Sequence, residues 1–374
     1  MEDEFTVRLA RLREQICELN IDTMLVQAEE NRRYLSGFTG EDGNFDESAG
    51  ALLITAKEMI LATDSRYEIQ ARREVPGCEV FCYKQGLSES LPELLKRLNT
   101  RRLGFEASRL SFNQHKKISE TLKTKAITFE LVETEHLLEL LRAVKDETEV
   151  KNITLALDLA ESVFRQVVSD LKPGLTEKKI AWDLEKGMRE AGAENISFPV
   201  IVASGPNSAL PHAVPGERRI REGEPILIDW GAKYNGYCSD ITRTLVMGKP
   251  DETFKKIFET VSEAQRRAID AVKPGVSTKT IDAIARQYIE DQKFQGKFGH
   301  SLGHGVGLAI HEYPRLSQFY DKPLKLGMVT TMEPGIYIPE WGGIRLENMI
   351  VVRESGAEVL NKLDMVSHIE GISG

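Results

Sequence analysis

The first 135 residues alternate short apolar runs with segments whose apolar residues recur at helical spacing. Apolar side chains that return every three or four positions predict helices, whereas short apolar runs between polar turns predict strands. The helical candidates are Phe5–Leu19, Glu89–Leu98 and Asn113–Leu122, and the strand candidates are Thr23–Gln27, Ala51–Thr55, Met59–Thr63, Cys78–Tyr83, Arg102–Phe105 and Ile127–Val132. This alternation predicts an α/β domain with a mixed sheet. The polar stretch Glu41–Ser48 has no periodicity and predicts a surface loop.

From Leu137 to about Leu171 the pattern becomes helical, with a charged junction at residues 145–149. We place the boundary here, which gives an N-terminal domain of residues 1–135 and a second domain of residues 136–374. In the second domain, Lys172–Ile180 (KPGLTEKKI) and Lys273–Ile281 (KPGVSTKTI) share one nine-residue frame. In both, Pro-Gly follows a helix and a Thr or Ser stands at the next N-cap. Such connections between helices are common, but the similarity of the two segments over all nine residues favours an internal duplication. A duplication would place a pseudo-two-fold site between the two halves.

The first half carries two carboxylates on a predicted hairpin. The apolar run Ile226–Ile228 leads into Asp229, and a second run brings back Asp240. Between them, Asn235-Gly236 is a strong signal for a tight hairpin turn, because both residues tolerate positive φ. Two buried carboxylates repel each other and resist ionisation unless a cation lies between them. On this stretch alone, a turn-capping Asp229 and a solvated Asp240 remain an equal alternative.

The second half carries its own pair of carboxylates. One apolar run ends at Glu333, and Glu347 lies within a second run, Gly342–Val352. A glutamate in an apolar strand is costly unless its charge is compensated. A salt bridge to Arg345 is the structural alternative for Glu347, but it leaves the other three carboxylates unexplained.

Between the two pairs, His300, His304 and His311 stand among glycines, and His212 occurs in a Leu-Pro-His-Ala segment. The glycines allow close approach of the backbone and disfavour a regular helix. Four carboxylates and one imidazole form a hard ligand set that suits Mn²⁺, Co²⁺, Fe²⁺ or Zn²⁺. Bridging carboxylates would hold two such ions roughly 3.5–4 Å apart, with a water between them lowered in pKa to hydroxide. The predicted chemistry is therefore hydrolysis.

The order Asp-x10-Asp, His-Gly-Val-Gly-Leu, Glu-Pro-Gly and Arg-x-Glu, within about residues 140–365, resembles the pita-bread metallopeptidases. These include methionine aminopeptidase, aminopeptidase P and prolidase. The resemblance implies an α/β chain in which a creatinase-like N-terminal domain precedes a pseudo-two-fold pita-bread catalytic domain. It also implies two divalent ions, with Mn²⁺ foremost, on the ligands Asp229, Asp240, His304, Glu333 and Glu347, of which Asp240 and Glu347 would bridge.

The same resemblance implies roles for the other site residues. Glu333 would act as general base, and His212 and His311 would contact the substrate amide and stabilise the tetrahedral intermediate. His300 would line the pocket for the residue after the scissile bond, and Arg345 would orient the bridging carboxylates.

The N-terminal domain argues against methionine aminopeptidase, and the complete ligand set argues against creatinase. Tyr34–Gly40 and Thr63–Ala71 look like the shorter bacterial aminopeptidase P-type proteins, whereas the acidic insert Asp42–Glu47 departs from that pattern and leaves substrate length open. We expect a Xaa-Pro aminopeptidase that removes the residue before proline by attack of a metal-bridged hydroxide, with Xaa-Pro dipeptidase (prolidase) as the alternative. Proline calls for dedicated enzymes because its amide lacks an N–H. Some members of this fold are metal-free interaction domains, and the intact ligand set argues against that function.

Composition adds a few limits. A net charge of -9 over 374 residues argues against nucleic acid as a partner. We expect no signal peptide and no membrane span, because no basic n-region precedes an apolar run and no apolar run is long enough. Four scattered cysteines predict free thiols in a reducing cytoplasm. The expected partner is a small peptide substrate, and the resemblance implies a homodimer.

Overall fold

A computed structural model describes residues 4–44, 47–125, 129–365 and 367–369. The chain forms two compact units, Met1–Arg142 and Ala143–Gly374. The short helix Leu137–Arg142 belongs to the first unit, so the division falls after this helix, whereas the predicted boundary between residues 135 and 136 precedes it. Two residues of the acidic insert, 45 and 46, and the start of the strand predicted at Ile127–Val132 lie outside the described residues.

The first unit is a mixed sheet with helices. Its helices are α1 (Glu4–Glu18), α2 (Glu29–Ser36), α3 (Glu68–Glu74), α4 (Leu87–Arg97), α5 (Phe112–Thr124) and α6 (Leu137–Arg142). Its strands are β1 (Thr23–Val26), β2 (Ala51–Thr55), β3 (Met59–Thr63), β4 (Glu79–Cys82), β5 (Arg102–Glu106) and β6 (Glu130–Thr134). The described strands pair in the order β4-β3-β2-β1-β5-β6, and β2 is antiparallel to both of its neighbours whereas the other pairs are parallel.

The core of this unit follows from the helical spacing of leucines. Leu91, Leu94 and Leu95 of α4 point to one face and pack with Leu25 of β1 and Leu53 of β2. Strand β1 is buried along its whole length, as expected for a central strand with parallel and antiparallel neighbours. The predicted α/β class with a mixed sheet is confirmed.

The second unit contains four long helices and several small sheets within its described residues. The helices are α7 (Glu147–Ser169), α8 (Glu177–Glu190), α9 (Glu252–Asp270) and α10 (Thr278–Asp291), and a 3₁₀ helix spans Gly205–Ala209. The strands are β7 (Asn195–Ile196), β8 (Ile201–Ser204), β9 (Pro225–Trp230), β10 (Ala232–Tyr234), β11 (Tyr237–Cys238), β12 (Ile241–Met247), β13 (Gly303–Gly305), β14 (Glu312–Leu316), β15 (Val329–Met332), β16 (Gly335–Ile338), β17 (Gly342–Arg345), β18 (Asn348–Arg353), β19 (Gly356–Val359) and β20 (His368–Ile369).

Two of these sheets carry the strands of interest. One has the order β20-β12-β9-β8 and the other β14-β13-β15-β18-β19, and β16 and β17 form a separate two-stranded sheet. Strands β9 and β12 are buried throughout, although Asp229 interrupts the apolar sequence of β9 and residues 242–244 interrupt that of β12. Among the described residues, no helix combines the length and apolar character needed to cross a bilayer.

The two KPG frames follow the same backbone path. Gly174 and Gly275 have φ of 91° and 87°, and their N–H groups donate to Ile220 O at 3.0 Å and Leu324 O at 2.8 Å. Thr176 caps α8 by accepting from Lys179 N, whereas the hydroxyl of Ser277 donates to Asp321 and leaves α10 without a side-chain cap. These matched turns support the predicted internal duplication.

Candidate metal centre and active site

The Asp229–Asp240 hairpin has the predicted form. Asn235 and Gly236 have φ of 47° and 80° and make the turn between β10 and β11. Strands β9 and β12 are antiparallel, with Asp229 opposite Thr242, so Asp240 lies directly before β12 on the returning chain. Both aspartates are buried. The hairpin thus brings two carboxylates to the same buried place.

Glu333 follows the end of β15, as its apolar run predicts, whereas Glu347 lies at the junction of two strands and not within one long strand. Glu333 stands between β15 and β16, and Glu347 stands between β17 and β18. The pairing of β15 with β18 ends at Met332 opposite Asn348, and the pairing of β16 with β17 begins at Gly335 opposite Arg345. The break frees both glutamates from the alternation of side chains along a strand.

His304 reaches the carboxylates from β13, where the register shifts at His304–Gly305. A Cβ atom on Gly303 would overlap the carbonyl oxygen of Thr331, so glycine permits this close approach to β15. His304 Nδ1 lies 3.1 Å from Gly305 O. A proton on Nδ1 leaves the Nε2 lone pair facing Asp240 Oδ2 at 3.5 Å and Glu333 Oε1 at 3.4 Å. One ligand atom from each of Asp240, His304 and Glu347 lies within 4.8 Å of the others, a spacing that a shared metal ion can span.

Arg345 and Thr242 connect the two carboxylate pairs. Arg345 donates to Asp229 Oδ2 at 2.6 Å and to Thr242 Oγ1 at 3.1 Å. Thr242 in turn donates its single hydroxyl proton to Glu347 Oε2 at 2.6 Å. All four side chains are buried. These hydrogen bonds hold one oxygen of Asp229 and one oxygen of Glu347 in place.

The electrostatics of the cluster call for additional positive charge. Burial, reinforced by the neighbouring carboxylates, raises the pKa of Asp240 and that of Glu347 well above their ordinary values. Burial also raises the pKa of Glu333 to about 8. Burial raises the pKa of Asp229 as well, although the positive charge of Arg345 reduces this rise. Asp229 Oδ1 is buried and accepts no hydrogen bond from the described residues. Hard oxygen donors with surplus negative charge and an unsatisfied oxygen fit a divalent metal.

The remaining predicted residues border the same cavity, which has a volume of about 440 Å³. His300 is held by Ser301 O at 2.8 Å and the Tyr337 hydroxyl at 2.8 Å. Burial, followed by the charge of Arg345, lowers the pKa of His300 to about 3. His311 is exposed, and its ring lies 4.4 Å from that of His304. His212 is exposed near the start of the loop that follows the 3₁₀ helix. The cavity therefore brings together all nine predicted site residues.

Three further residues at the site were not predicted. Thr242 connects Arg345 to Glu347, and the Tyr337 hydroxyl accepts a hydrogen bond from Arg345 at 2.8 Å. Arg315 of β14 lines the cavity beside the histidines and is exposed. Thr242 and Tyr337 each lie within four residues of a predicted ligand, which was the available signal. Nothing in the sequence around Arg315 distinguishes it from other surface arginines.

An α/β chain with a buried carboxylate–imidazole cluster at the base of an open cavity defines a metal-dependent hydrolase. Comparison with known proteins identifies it further. Residues 151–354 match Metallopeptidase family M24, and residues 8–144 match the Creatinase/Prolidase N-terminal domain. The chain belongs to metallopeptidase family M24, which confirms the resemblance drawn from the sequence.

Full-length relatives share both parts. A Xaa-Pro dipeptidase of Pyrococcus furiosus is 38% identical over 357 residues, covering 96% of this chain and 98% of its own. The structure of a Xaa-Pro dipeptidase from Bacillus anthracis has a TM-score of 0.90 at 39% identity, covering 98% and 100% of the two chains. That of an X-Pro aminopeptidase from Thermotoga maritima has a TM-score of 0.86 at 37% identity, covering 95% and 100%.

Proposed function

We propose that this metallopeptidase hydrolyses the amide bond on the N-terminal side of proline in Xaa-Pro dipeptides. The observation that carries the proposal is the group of three buried carboxylates, Asp229, Asp240 and Glu347, with the half-buried side chains of Glu333 and His304. In this group Asp229 Oδ1 lacks a donor among the described residues. The names of the similar proteins, two dipeptidases and one aminopeptidase, support a substrate with proline in second position.

The ligand set would hold two divalent ions, with Mn²⁺ as the first choice, on Asp229, Asp240, His304, Glu333 and Glu347. When bound, such ions lower the pKa of water and polarise the substrate carbonyl. The side chains contribute the rest of the chemistry. Glu333 is oriented by Thr331, whose hydroxyl donates to Glu333 Oε1 at 3.1 Å, and it would take a proton from the attacking water and return it to the leaving amine.

The histidines would bind the substrate around this base. His212 and His311, both exposed at the cavity, would donate hydrogen bonds to the substrate amide and to the oxyanion that forms during attack. His300, which is hydrogen-bonded to Tyr337, would contact the proline ring of the substrate, on the C-terminal side of the scissile bond. Arg345 would keep Asp229 ionised and aligned through its 2.6 Å hydrogen bond.

Arg315 favours the dipeptide over longer peptides. Its guanidinium lines the cavity, and no carboxylate of the described residues forms a salt bridge with it. The carboxylate of a C-terminal proline would satisfy this charge, because guanidinium groups bind carboxylates through paired hydrogen bonds. A Xaa-Pro aminopeptidase, which the sequence analysis put first, is the second candidate, because the cavity is open to solvent and could admit a longer chain.

The test compares Xaa-Pro, Xaa-Pro amide and Xaa-Pro-Yaa as substrates of the Mn²⁺-loaded protein. We expect cleavage of Xaa-Pro, with a higher KM for the amide. Arg315→Met should raise KM for Xaa-Pro without changing it for the amide, and Arg221→Met, an exposed arginine, should change neither. Cleavage of Xaa-Pro-Yaa alone would establish the aminopeptidase, and cleavage of no substrate would reject both. The homodimer, the metal used in the cell and the cytoplasmic location stay predictions.

A further inference from the structure

Helix α9 contributes one buried polar side chain that contacts both glutamate-bearing segments. Gln265 is buried, and its Nε2 donates to Met332 O at 2.7 Å and to Leu346 O at 2.9 Å. These carbonyl groups belong to the residues directly before Glu333 and Glu347. One amide group therefore fixes the backbone immediately before each glutamate.

The contact falls where strand pairing is interrupted. The ladder between β15 and β18 ends at Met332 opposite Asn348, and the ladder between β16 and β17 starts at Gly335 opposite Arg345. Between these pairs, the segments that carry the glutamates lack the regular hydrogen bonds of a sheet. Buried carbonyl groups need donors, and Gln265 supplies them from the helix.

The other half of the unit uses the same helix position for a different contact. Counted from the matched KPG frames, Gln265 of α9 corresponds to Phe164 of α7, since each lies eight residues before the lysine of its frame. Phe164 stacks on Trp230 with ring centroids 4.2 Å apart, and Trp230 directly follows Asp229. Asp229 lies in the continuous strand β9, so an apolar contact suffices there. The broken strands of the second half need a hydrogen-bond donor instead.

We infer that Gln265 is a positioning residue that sets the separation and direction of Glu333 and Glu347, and thereby the metal affinity of the glutamate side of the site. The inference rests on the proposed function of these glutamates as metal ligands. Partners that orient metal ligands from outside the site typically change metal affinity by about 10–100-fold when they are removed.

The experiment measures Mn²⁺ binding by calorimetric titration of protein purified without metal. Gln265→Met keeps the length of the side chain but removes both donors, and we expect its Mn²⁺ affinity to fall by about tenfold or more. Hydrolysis of Xaa-Pro should show a lower kcat with little change in KM, because the substrate-binding side chains are untouched. Gln265→Asn, whose amide is too short to reach both carbonyls, should behave in the same way.

Val261→Ala is the matched control. Val261 lies one turn earlier on α9 and is fully buried in the core, but it contacts the glutamate segments through no polar group. This variant should lower the melting temperature of the metal-free protein while it keeps the wild-type Mn²⁺ affinity. The difference between the two variants separates positioning from general loss of stability.

Wild-type Mn²⁺ affinity in either Gln265 variant would overturn the inference. An equal loss of affinity in Val261→Ala would overturn it as well, because the effect would then follow from stability alone. If Gln265→Met does not fold, the titration of Gln265→Asn decides. If the wild-type protein binds Mn²⁺ but cleaves no Xaa-Pro substrate, the proposed activity fails, while the titration still tests Gln265.

Discussion

The two compact units bury charged side chains in opposite ways. In the first unit, Asp42 accepts hydrogen bonds from Arg32 at 2.7 Å and Arg109 at 2.8 Å, so one carboxylate meets two guanidinium groups. In the second unit, four carboxylates and His304 line one cavity, and the buried guanidinium of Arg345 contacts Asp229. The first cluster carries its own counter-charges, whereas the second has an excess of negative charge.

The pKa shifts follow this difference. Burial tends to raise the pKa of Asp42, but the hydrogen bonds and positive charges of the arginines lower it by more. The pKa of Asp42 therefore lies below its ordinary value. Burial and neighbouring carboxylates raise the pKa of Asp240 well above its ordinary value. A compensated buried charge keeps its stability only while its partners are present, whereas an uncompensated cluster costs stability until a cation binds. The first cluster is therefore structural, whereas the second fits the proposed metal site.

The largest expected effect comes from the site itself. Glu333→Gln should lower kcat for Xaa-Pro hydrolysis by about 10²–10⁴-fold, the range for loss of a general acid–base group. The metal-free protein should keep its fold, because glutamine has nearly the same size and shape as glutamate and adds no charge to the cluster. Steady-state kinetics and circular dichroism check both parts.

Glu354→Gln, at an exposed position, is the control for that substitution and should leave kcat unchanged. Parallel Mn²⁺ titrations separate the two roles of Glu333, because a lost proton acceptor lowers kcat even when the metal sites are full. Near-normal turnover of Glu333→Gln would remove Glu333 from the role of base.

Breaking the compensated cluster should cost stability without a metal. Arg32 is fully buried, so Arg32→Met leaves Asp42 with Arg109 as its remaining charged partner. Removing one partner of a buried ion pair typically costs about 3–5 kcal/mol. Urea unfolding followed by circular dichroism measures the loss. Arg72→Met removes an exposed i,i+4 pair with Glu68 in the same unit and should cost about 0–1 kcal/mol. Equal losses in the two variants would contradict the structural role of Arg32.

Metal binding should stabilise the uncompensated cluster selectively. At a Mn²⁺ concentration about 100 times its Kd, the free energy of unfolding should rise by about 2.7 kcal/mol, because the ion binds the folded state. The tryptophans Trp182, Trp230 and Trp341 all lie in the second unit, so their fluorescence reports its unfolding. Asp240→Asn should lose most of the metal-dependent shift, and a chelator should reverse it in the wild type. An unchanged shift in Asp240→Asn would mean that Mn²⁺ binds elsewhere.

The sequence predicted most of the elements that depend on local pattern. Strands β2 and β3 have the predicted bounds, Ala51–Thr55 and Met59–Thr63, because two apolar runs flank a short polar turn. Helix α2 was not predicted, since its buried positions include Asn31 and Arg32 and it lacks an apolar stripe. Its burial depends on hydrogen-bond partners that lie far away along the chain, such as Glu106.

The same limit applies to the site. The carboxylates and histidines could be predicted because each is an unusual residue in an apolar or glycine-rich context. Their junction geometry could not, because it depends on which strands pair, and Glu347 is freed only where β17 ends and β18 begins. Thr242 and Gln265 were missed for a related reason. A threonine in a strand or a glutamine in a helix is unremarkable until the structure shows what its side chain contacts.

The pH dependence of the first cluster gives the smallest expected effect. Because the pKa of Asp42 is lower in the folded protein, its contribution is full above the ordinary aspartate value of about 3.9 and is lost as pH falls through the folded value. Asp42→Asn should therefore be less stable than wild type at about pH 7, and the difference should shrink as the pH approaches about 2. Urea midpoints followed by circular dichroism measure this difference.

Asp64→Asn provides the matched surface comparison. The Arg66 guanidinium also holds the pKa of Asp64 below its ordinary value, but that arginine is 57% exposed. Solvent and salt screen such a pair, so its pH-dependent difference should be smaller than that of Asp42 and should decrease further in added salt. A difference for Asp42 that stays constant across the pH range would show that its charge contributes nothing. The first cluster would then be stabilised by packing and neutral hydrogen bonds, and the contrast with the metal centre would no longer be one of charge compensation.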